Sequence, residues 1–256
     1  CEDAAVLNPL SLPEHELLLA SPSCTGHTRA RGAERPHHDA ARATAWCVLR
    51  VVEAHQPRFV VVENVPEMLR WQGYRGWRLA LSDYGYRLSE QVLDAADAAV
   101  PQHRRRLFVV GVLGARHPVA IEPPREEHVP AREVLDLELG PWTDWRRSYV
   151  PRSVARIEDA QRRHGSDVLV PYYGSPSSHA GRSLDRPIGT LTTRDRYVLV
   201  RGDQARVLSV QEQLRLAGFP TNYPLRGSRR ERVMQINNAV PPPLARHVVT
   251  SVLEVQ

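Results

Sequence analysis

Four short apolar runs in the first half of the chain alternate with amphipathic and polar segments. They read ELLLASP, RFVVVENV, RLSEQVLD and RLFVVGVL, and such nearly continuous runs are typical of strands in a covered parallel sheet. Between the first two lies DAARATAWCVLRVVEAHQ, where apolar residues recur at helical spacing without glycine or proline. A second helix is predicted over GWRLALSDYG, ending at Gly85. This order of strands and helices predicts an α/β fold.

The pattern changes from about Ala115 to Ala180, where segments rich in proline, arginine and glutamate show little sustained periodicity. This texture is typical of a separate, smaller domain or of a long insertion. Regular patterning resumes with PIGTLTTRDRYVLV, which predicts a hairpin, and with SVQEQLRLAGFP, a helix capped by Ser209 and stopped at Gly218. The last segment, PPPLARHVVTSVLEVQ, begins with prolines suited to a first helical turn and predicts an apolar helix.

Composition narrows the class of protein. A chain of 256 residues with 42% apolar residues can bury one large core or two unequal ones. No apolar run approaches the roughly 18 residues that span a bilayer, and no secretory pattern opens the chain, so we expect a soluble, cytoplasmic protein. The spacing of Cys1, Cys24 and Cys47 fits no usual zinc pattern, which predicts reduced thiols and no metal.

All 34 basic residues are arginine, because the sequence contains no lysine. Schiff-base chemistry and a P-loop lysine are therefore excluded. The net charge of +5 suits a polyanionic partner such as nucleic acid, since arginine binds phosphate through two parallel hydrogen bonds. The alternative is a plain compositional bias toward alanine and arginine.

Two neighbouring predicted strands end in reactive side chains. Cys24 follows ELLLASPS and Glu63 follows RFVVV, and ligands of open α/β sheets collect at the carboxyl ends of strands. The alternative for Cys24 is a small buried side chain, but its Ser, Thr, Gly and His neighbours indicate a polar, exposed loop. The alternative for Glu63 is a surface carboxylate, although an acid directly behind a buried run is costly without a task.

The segment VPQHRRRLFVVG provides a third group of candidates. Strand alternation sends Arg104 and Arg106 to one side and Arg105 to the other, so two arginines can share one site. The alternative is a solvated charge run before a strand. A thiol, a carboxyl group and paired arginines at one sheet edge would make a workable nucleophilic centre.

Five segments occur in an order that resembles the motif series of DNA (cytosine-5) methyltransferases: SPSC, ENVPEML, YGYRLSEQVLDAADAAVPQHRRRLFVVG, RPIGTLTTRDRYVLV and INNAVPPPLARHV. The resemblance covers most of the chain outside Ala115 to Ala180. It implies an α/β fold with the Rossmann-like sheet of class I methyltransferases and a smaller target-recognition domain. The implied divisions are a partial catalytic domain over 1–114, a target-recognition domain over 115–232 and a returning segment over 233–256.

The resemblance implies a role for each candidate. Cys24 would attack carbon 6 of a flipped cytosine, because carbon 5 is too weak a nucleophile to take the methyl group of S-adenosylmethionine unaided. Protonated Glu63 would face N3 and the exocyclic amine, which requires a carboxyl pKa raised by burial. Arg104 would stabilise the pyrimidine and its O2, and Arg106 would orient the site.

The resemblance also implies contacts to cofactor and to double-stranded DNA. Asp3, Ser21, Ser23 and Asn238 are the candidates for S-adenosylmethionine, with Asn238 in the Asn-Asn-Ala-Val segment that stands where Gly-Asn-x-Val is usual. Candidates for DNA follow in two groups. Arg29 and Arg31 lie in the loop after Cys24, which could alternatively be a disordered loop that only aids solubility. The second group comprises Asn64, Gln102, Arg146 and Arg147. Trp142, Trp145 and Arg152 are further candidates, although such side chains also pack domains together.

Two features depart from the family pattern. Ser21-Pro22-Ser23-Cys24-Thr25 replaces the common Gly-Pro-Pro-Cys-Gln, which changes the surroundings of the thiol and not its chemistry. No Phe-x-Gly-x-Gly segment precedes Cys24, so we expect a fragment, a split enzyme completed by a separate N-terminal polypeptide, or a decayed methyltransferase, with little activity alone. A non-catalytic DNA-binding module is the alternative function, although such a module needs none of the reactive set.

Overall fold

The computed structural model describes residues 6–27, 36–171, 181–193 and 197–255. The chain divides into two compact units. The first comprises Cys1–Leu93, Arg105–Pro123 and Arg246–Gln256, and the second comprises Asp94–Arg104 and Pro124–Ala245. The units change after residues 93, 104, 123 and 245, and the domain divisions predicted at residues 114 and 232 stay a prediction.

The first unit contains a four-stranded sheet in the order β1-β2-β4-β3. Strand β1 is parallel to β2, whereas β2 is antiparallel to β4. The prediction of an all-parallel sheet is wrong, because only residues 95–104 separate β3 from its neighbour β4, and a parallel crossover needs a dozen or more. The strands are β1 (Leu17–Ala20), β2 (Phe59–Asn64), β3 (Tyr86–Asp94) and β4 (Arg105–Leu113).

Helices α1 (Pro36–Ala43) and α2 (Trp46–His55) replace the single helix predicted here. The break falls at Thr44, whose hydroxyl donates to the carbonyl oxygen of Ala41 at 2.7 Å and so competes with the helical backbone pattern. Helix α3 (Tyr74–Asp83) ends just before Gly85, which has φ +93°, as predicted. Apolar side chains of α2 and α3 form one core with alternate residues of β2 and β4: Val48, Val52, Trp77, Leu81, Val60, Val62, Leu107 and Val109.

The second unit contains a five-stranded sheet in the order β5-β9-β8-β6-β7. Its paired strands are antiparallel throughout the described residues. The hairpin predicted within PIGTLTTRDRYVLV is wrong, because β6 pairs with one side of β8 and β9, after the turn at Gly202 (φ +55°), with the other. Residues 194–196 of that segment lie outside the described residues. The strands are β5 (Thr143–Asp144), β6 (Asp167–Pro171), β7 (Arg182–Ser183), β8 (Tyr197–Arg201) and β9 (Gln204–Val207).

Alternation along β6 and β8 gives this sheet two buried faces. On one face Val168, Val170, Val198 and Val200 pack with side chains of helices α4 (Trp145–Ser148) and α5 (Pro151–His164). Helix α5 lies inside the stretch for which no sustained periodicity was found. The opposite face, with Leu169 and Leu199 among its residues, packs against a second core: Ala131, Leu135, Leu184, Ile188, Leu191, Leu208 and Leu216.

The helices predicted near the C-terminus are confirmed. Helix α6 (Val210–Leu216) begins at Ser209 with a complete capping box and is followed by Gly218 at φ +76°. Helix α7 (Arg229–Asn238), which was not predicted from the sequence, has a second capping box at Ser228. Helix α8 (Pro242–Leu253) completes the chain. Among the described helices, none has the length and apolar character that crossing a bilayer requires.

Candidate active site

Cys24 lies in the loop that leaves the carboxyl end of β1, and it is half-buried. Hydrogen bonds fix the loop on both sides of the thiol. The Ser23 amide donates to the hydroxyl of Thr44 at 2.9 Å, and the His27 amide donates to the carbonyl oxygen of Cys24 at 2.9 Å. The thiol is therefore presented by a short, anchored turn.

The residues after Cys24 are more enclosed than their small, polar character predicts. Gly26 and His27 are buried, and Arg42 Nε donates to the Gly26 carbonyl oxygen at 3.1 Å. A Cβ atom on residue 26 would lie 2.4 Å from the backbone oxygen of His38 in α1. Glycine is therefore required at position 26, because backbone approaches backbone there.

Asn64, the last residue of β2, connects that strand to the thiol loop. Its side-chain Nδ2 donates to the carbonyl oxygen of Pro22 at 2.9 Å, and its Oδ1 accepts from the Val65 amide at 2.9 Å. The residue is 2% exposed. Asn64 was predicted to contact DNA. In this structure its side-chain amide contacts the protein backbone at Val65 and at Pro22, which lies two residues before Cys24.

Glu63 and Arg106 form an ion pair on the face of the sheet opposite the α2 and α3 core. Arg106 Nε lies 2.9 Å from Glu63 Oε1, and each side chain is 11% exposed. The pairing follows from the register, since Glu63 lies opposite Phe108 on β4 and Arg106 is its diagonal neighbour. A carboxyl group and an arginine were predicted at one sheet edge, and Glu63 and Arg106 form such a pair at the end of β2.

Arg104 takes a different place from Arg106. It is 2% exposed, and its guanidinium donates to the carbonyl oxygens of Leu191 (3.3 Å), Asn237 (2.6 Å) and Ala239 (3.1 Å). The prediction that strand alternation sends Arg104 and Arg106 to one shared site is not met, because β4 begins at Arg105 and Arg104 precedes the strand. In this structure Arg104 joins two backbone segments of the second unit, one at Leu191 and one at Asn237 and Ala239.

Gln102, predicted to contact DNA, is fully buried beside Arg104. Its Nε2 donates to the Leu216 carbonyl oxygen at 3.2 Å, and its Oε1 accepts from the Leu191 amide at 3.1 Å. Both groups of the side chain are thus used within the second unit. Gln102 and Arg104 together hold the segment around Leu191 from two sides.

The candidate cofactor residues differ in exposure. Ser21 is exposed just after β1, while Ser23 is half-buried and its hydroxyl accepts from the Thr25 amide at 3.4 Å. Asn238 is exposed at the end of α7, between the two residues whose carbonyl oxygens Arg104 binds. Hydroxyl and amide groups of this kind suit the polar groups of S-adenosylmethionine. Asp3, the fourth candidate, lies outside the described residues.

Arg146 and Arg147, the arginines of the middle region that were predicted to bind DNA, differ in exposure and in their ion pairs. Arg146 pairs with Glu158 at 2.8 Å and with Asp203 at 3.0 Å, and hydrogen bonding to Asp203 raises its pKa. Arg147 has an 89% exposed side chain with Asp144 at 3.4 Å. Trp145, a further candidate, is fully buried and donates to the Gly202 carbonyl oxygen, so it packs the domain. Arg29 and Arg31 lie outside the described residues.

Sequence reasoning missed Thr44 and Arg42, which hold the thiol loop against the helical segment that follows it. No local pattern marks them, because both sit in an alanine-rich stretch that reads as ordinary helix. Within the described ranges, no group of three or more His, Cys, Asp or Glu side chains is arranged to hold a metal ion.

Comparison with known proteins identifies the family. The family model described as C-5 cytosine-specific DNA methylase matches residues 1–140 and 144–254. The chain is 25% identical to the type II methyltransferase M1.HphI of Haemophilus parahaemolyticus, over 98% of this chain and 72% of that protein. It is 28% identical to M.HgiDI of Herpetosiphon aurantiacus, over 97% of this chain and 76% of that protein.

Solved structures share the fold at lower identity. A putative DNA modification methyltransferase encoded within an Escherichia coli prophage superposes with a TM-score of 0.68, at 18% identity, covering 99% of this chain and 85% of that one. The Schizosaccharomyces pombe Dnmt2 methyltransferase gives a TM-score of 0.63 at 17% identity, covering 97% and 82%. The mixed α/β architecture is that of a methyltransferase. The chain belongs to the C-5 cytosine-specific DNA methylase family.

Proposed function

We propose that this protein transfers a methyl group from S-adenosylmethionine to carbon 5 of a flipped cytosine in duplex DNA, through a covalent adduct with Cys24. The observation that carries the proposal is the Asn64 to Pro22 hydrogen bond, which ties the thiol loop to the end of β2. That strand also bears Glu63, which pairs with Arg106 of β4. A nucleophile and a carboxyl–guanidinium pair therefore belong to adjacent strand ends.

The first step is nucleophilic attack. The Cys24 thiolate forms a bond to carbon 6 of cytosine, and the electron pair of the 5,6 double bond moves toward carbon 5, N3 and O2. Carbon 5 becomes enamine-like and able to accept a methyl group. The anchored turn from Ser23 to His27 fixes the approach of the thiol, which lowers the entropic cost of attack.

Glu63 and Arg106 handle the charge that attack creates. Glu63 gives a proton to N3, and the Arg106 guanidinium stabilises negative charge developing at O2. Arg104 acts as a positioning residue in this proposal, because its guanidinium hydrogens are bonded to three carbonyl oxygens.

The adduct resolves after the methyl group is in place. A base removes the proton from carbon 5, the 5,6 double bond forms again, and the Cys24 thiolate leaves carbon 6. N3 returns its proton to Glu63 in this step. S-adenosylmethionine supplies the electrophilic methyl group on its sulfonium centre. Ser21, Ser23 and Asn238 are the described residues that would hold it, through hydroxyl and amide contacts.

Duplex DNA is the proposed partner because a stacked cytosine cannot reach a protein thiol. The base must leave the helix, which costs a few kcal/mol that phosphate and pocket contacts return. Since the similar proteins carry type II methyltransferase names, we place the activity in a restriction-modification system, acting in the cytoplasm.

We propose further that another strand pairs with β1, supplied by a separate N-terminal polypeptide or by other residues of the same protein. Strand β1 lies at the edge of the described sheet, and its Leu19 side chain is 56% exposed. An apolar edge strand of this kind favours pairing. Such a strand would complete the cofactor side of the site.

A covalent trap tests the proposed function. Duplex DNA carrying 5-fluorocytosine, with S-adenosylmethionine, should give a stable adduct at Cys24, since fluorine blocks loss of the group at carbon 5. Denaturing electrophoresis and peptide mass spectrometry detect the adduct. Cys24→Ser should abolish it, whereas Cys47→Ser, at the other described free cysteine, should retain it.

The trap also separates the enzyme from a DNA-binding module. Binding of duplex without any adduct, in the presence of cofactor and of any completing polypeptide, would favour the module. An adduct that persists in Cys24→Ser would overturn the assignment of the nucleophile.

A further inference from the structure

The second unit carries an open groove of about 920 Å³ that none of the predicted site residues line. Three arginines and two histidines contribute to its walls: Arg163, Arg182, Arg186, His103 and His164. All three arginines are exposed. The groove therefore presents an unusual density of guanidinium groups around one concave surface.

Among the described residues of the groove wall, Asp185 is the one acidic side chain, and it is paired with an arginine outside the wall. Asp185 accepts from Arg132 Nε at 2.9 Å and from the hydroxyl of Ser183 at 3.1 Å. The hydrogen bond from Arg132 keeps the pKa of Asp185 below its ordinary value, so the carboxylate stays charged and paired. Among the described residues, Arg182 and Arg186 form no ion pair, and their charge is left for a ligand.

Arg163 adds to the same excess. Its nearest carboxylate, Asp159, lies at 3.0 Å, but Arg162 contacts the other oxygen of that carboxylate at 3.2 Å. Two guanidinium groups thus share one negative charge. Arg132 is shared between Asp185 and Asp167, which lies 3.5 Å from it. With these neighbours counted, the groove as a whole keeps a net positive charge.

The groove wall is rigid where it meets the arginine motif. Ile188 exchanges backbone hydrogen bonds with the segment before Arg104, at 2.8 Å to the His103 amide and 3.1 Å to the Pro101 carbonyl oxygen. The Thr190 hydroxyl donates to the His103 carbonyl oxygen at 2.8 Å. Because these hydrogen bonds already hold the backbone of the wall, mainly the arginine side chains must be ordered when a ligand binds.

We infer that this groove binds the phosphodiester backbone of the duplex substrate, with Arg182 and Arg186 as its main phosphate contacts. The inference rests on the proposed function and deepens it. It assigns DNA binding to residues other than Arg146 and Arg147, since Arg146 is occupied by Glu158 and Asp203. Arginine forks match phosphate geometry, and phosphate contacts hold a duplex in register without reading its sequence.

The test compares two double variants with the same change in charge. Arg182→Gln with Arg186→Gln removes the proposed contacts, and Arg146→Gln with Arg147→Gln removes two arginines elsewhere in the unit. Fluorescence anisotropy of a labelled duplex is measured between about 50 and 200 mM salt, because each lost phosphate contact lowers the slope of log K against log salt by about 0.9. Circular dichroism melting checks that both proteins fold.

We expect the groove variant to lose about two units of salt slope and at least tenfold in affinity for any duplex sequence. Arg182→Lys with Arg186→Lys should keep most of the slope, as point charges remain. If the groove variant keeps the wild-type slope of log K against log salt and still forms the adduct at Cys24, the inference is wrong and the proposed function stands. A wild-type protein that neither binds duplex nor forms the adduct overturns the proposed function and the inference with it.

Discussion

The side-chain Nδ2 of Asn64 donates to the carbonyl oxygen of Pro22 across 2.9 Å and so fixes the loop of Cys24 to the end of the neighbouring strand. The parallel pairing of β1 and β2 brings the two strand ends side by side, with Ala20 opposite Val62. The pairing of β1 with β2 ends there, and the Asn64 side chain provides the next connection between the two segments. The geometry of the nucleophile therefore depends on a buried amide as well as on the sheet.

Replacing Asn64 by alanine should slow adduct formation far more than it unfolds the protein. The Pro22 carbonyl and the Val65 amide lose their partners, which costs about 1–3 kcal/mol in stability. A displacement of the thiol near 1 Å reduces reactivity by about 100-fold. Single-turnover trapping on 5-fluorocytosine DNA and thermal melting measure the two effects. Asn222→Ala, at an exposed position, serves as the control and should change neither.

Arg106 and Arg104 should separate into a chemical and a positioning role. Arg106→Gln removes the guanidinium that would stabilise charge at O2, so adduct formation should fall by about 100-fold or more. It also leaves Glu63 without its partner, which should cost about 3 kcal/mol in stability. Arg104→Gln leaves buried carbonyl oxygens without donors and should cost about 3 kcal/mol. At a temperature where it remains folded, Arg104→Gln should still form the adduct.

Equilibrium urea unfolding and trapping on the same samples distinguish the two arginines. An Arg104→Gln protein with wild-type stability and no adduct would assign Arg104 to the base instead of to the backbone. Saturating and limiting cofactor concentrations add a second readout, because the backbone held by Arg104 flanks Asn238.

Gly26 should resist even the smallest side chain. A Cβ atom there would meet the His38 carbonyl oxygen at 2.4 Å, so Gly26→Ala must displace the thiol loop from α1. We expect a loss of about 1–3 kcal/mol together with a slower trap. The matched control is Gly76→Ala on α3, where a Cβ meets nothing within 4 Å and should stabilise the helix by about 0.5–1 kcal/mol. Equal behaviour of the two variants would show that the loop does not depend on this contact.

Elements with a local cause were predicted well from the sequence. Gly85 ends α3, Ser209 and Gly218 bound α6, and the C-terminal apolar pattern gives α8. Glu63 was identified by its position behind a buried run, and the structure gives it a buried ion pair. In each case a few neighbouring residues determine the conformation, so the local pattern carries the information.

Features that depend on distant residues were not predicted. The antiparallel run of β4 follows from the short connection after β3, and the split between α1 and α2 follows from the Thr44 hydroxyl, which is shared with the loop of Cys24. Strand alternation places Arg104 and Arg106 on the same side of a strand, so the sequence predicted one shared site for both. Only the carbonyl groups of residues 191, 237 and 239 show that its environment is different.

Arg206 and Glu212 form a buried ion pair that holds the second unit together. Glu212 is fully buried, and its oxygens lie 2.7 and 2.8 Å from the Arg206 guanidinium. They also accept from the amides of Ser209 (2.8 Å) and Asp136 (3.1 Å). Burial by itself would raise the pKa of Glu212, but the hydrogen bonds from Arg206 and Ser209 outweigh it and leave the pKa below its ordinary value.

Acid should therefore destabilise the protein through Glu212. Since its folded pKa lies below the unfolded value near 4.5, the stabilisation is fully present above that pH and is lost as pH falls through the folded pKa. Glu212→Gln leaves Arg206 without a charged partner and should cost about 3–5 kcal/mol at pH 7 while flattening the acid limb. Urea unfolding across pH 3 to 7 measures both. The control is Glu231→Gln in the exposed capping box of α7, which should change stability little, because water replaces its hydrogen bonds. If Glu212→Gln still loses stability at low pH as the wild-type protein does, another carboxylate causes the acid sensitivity.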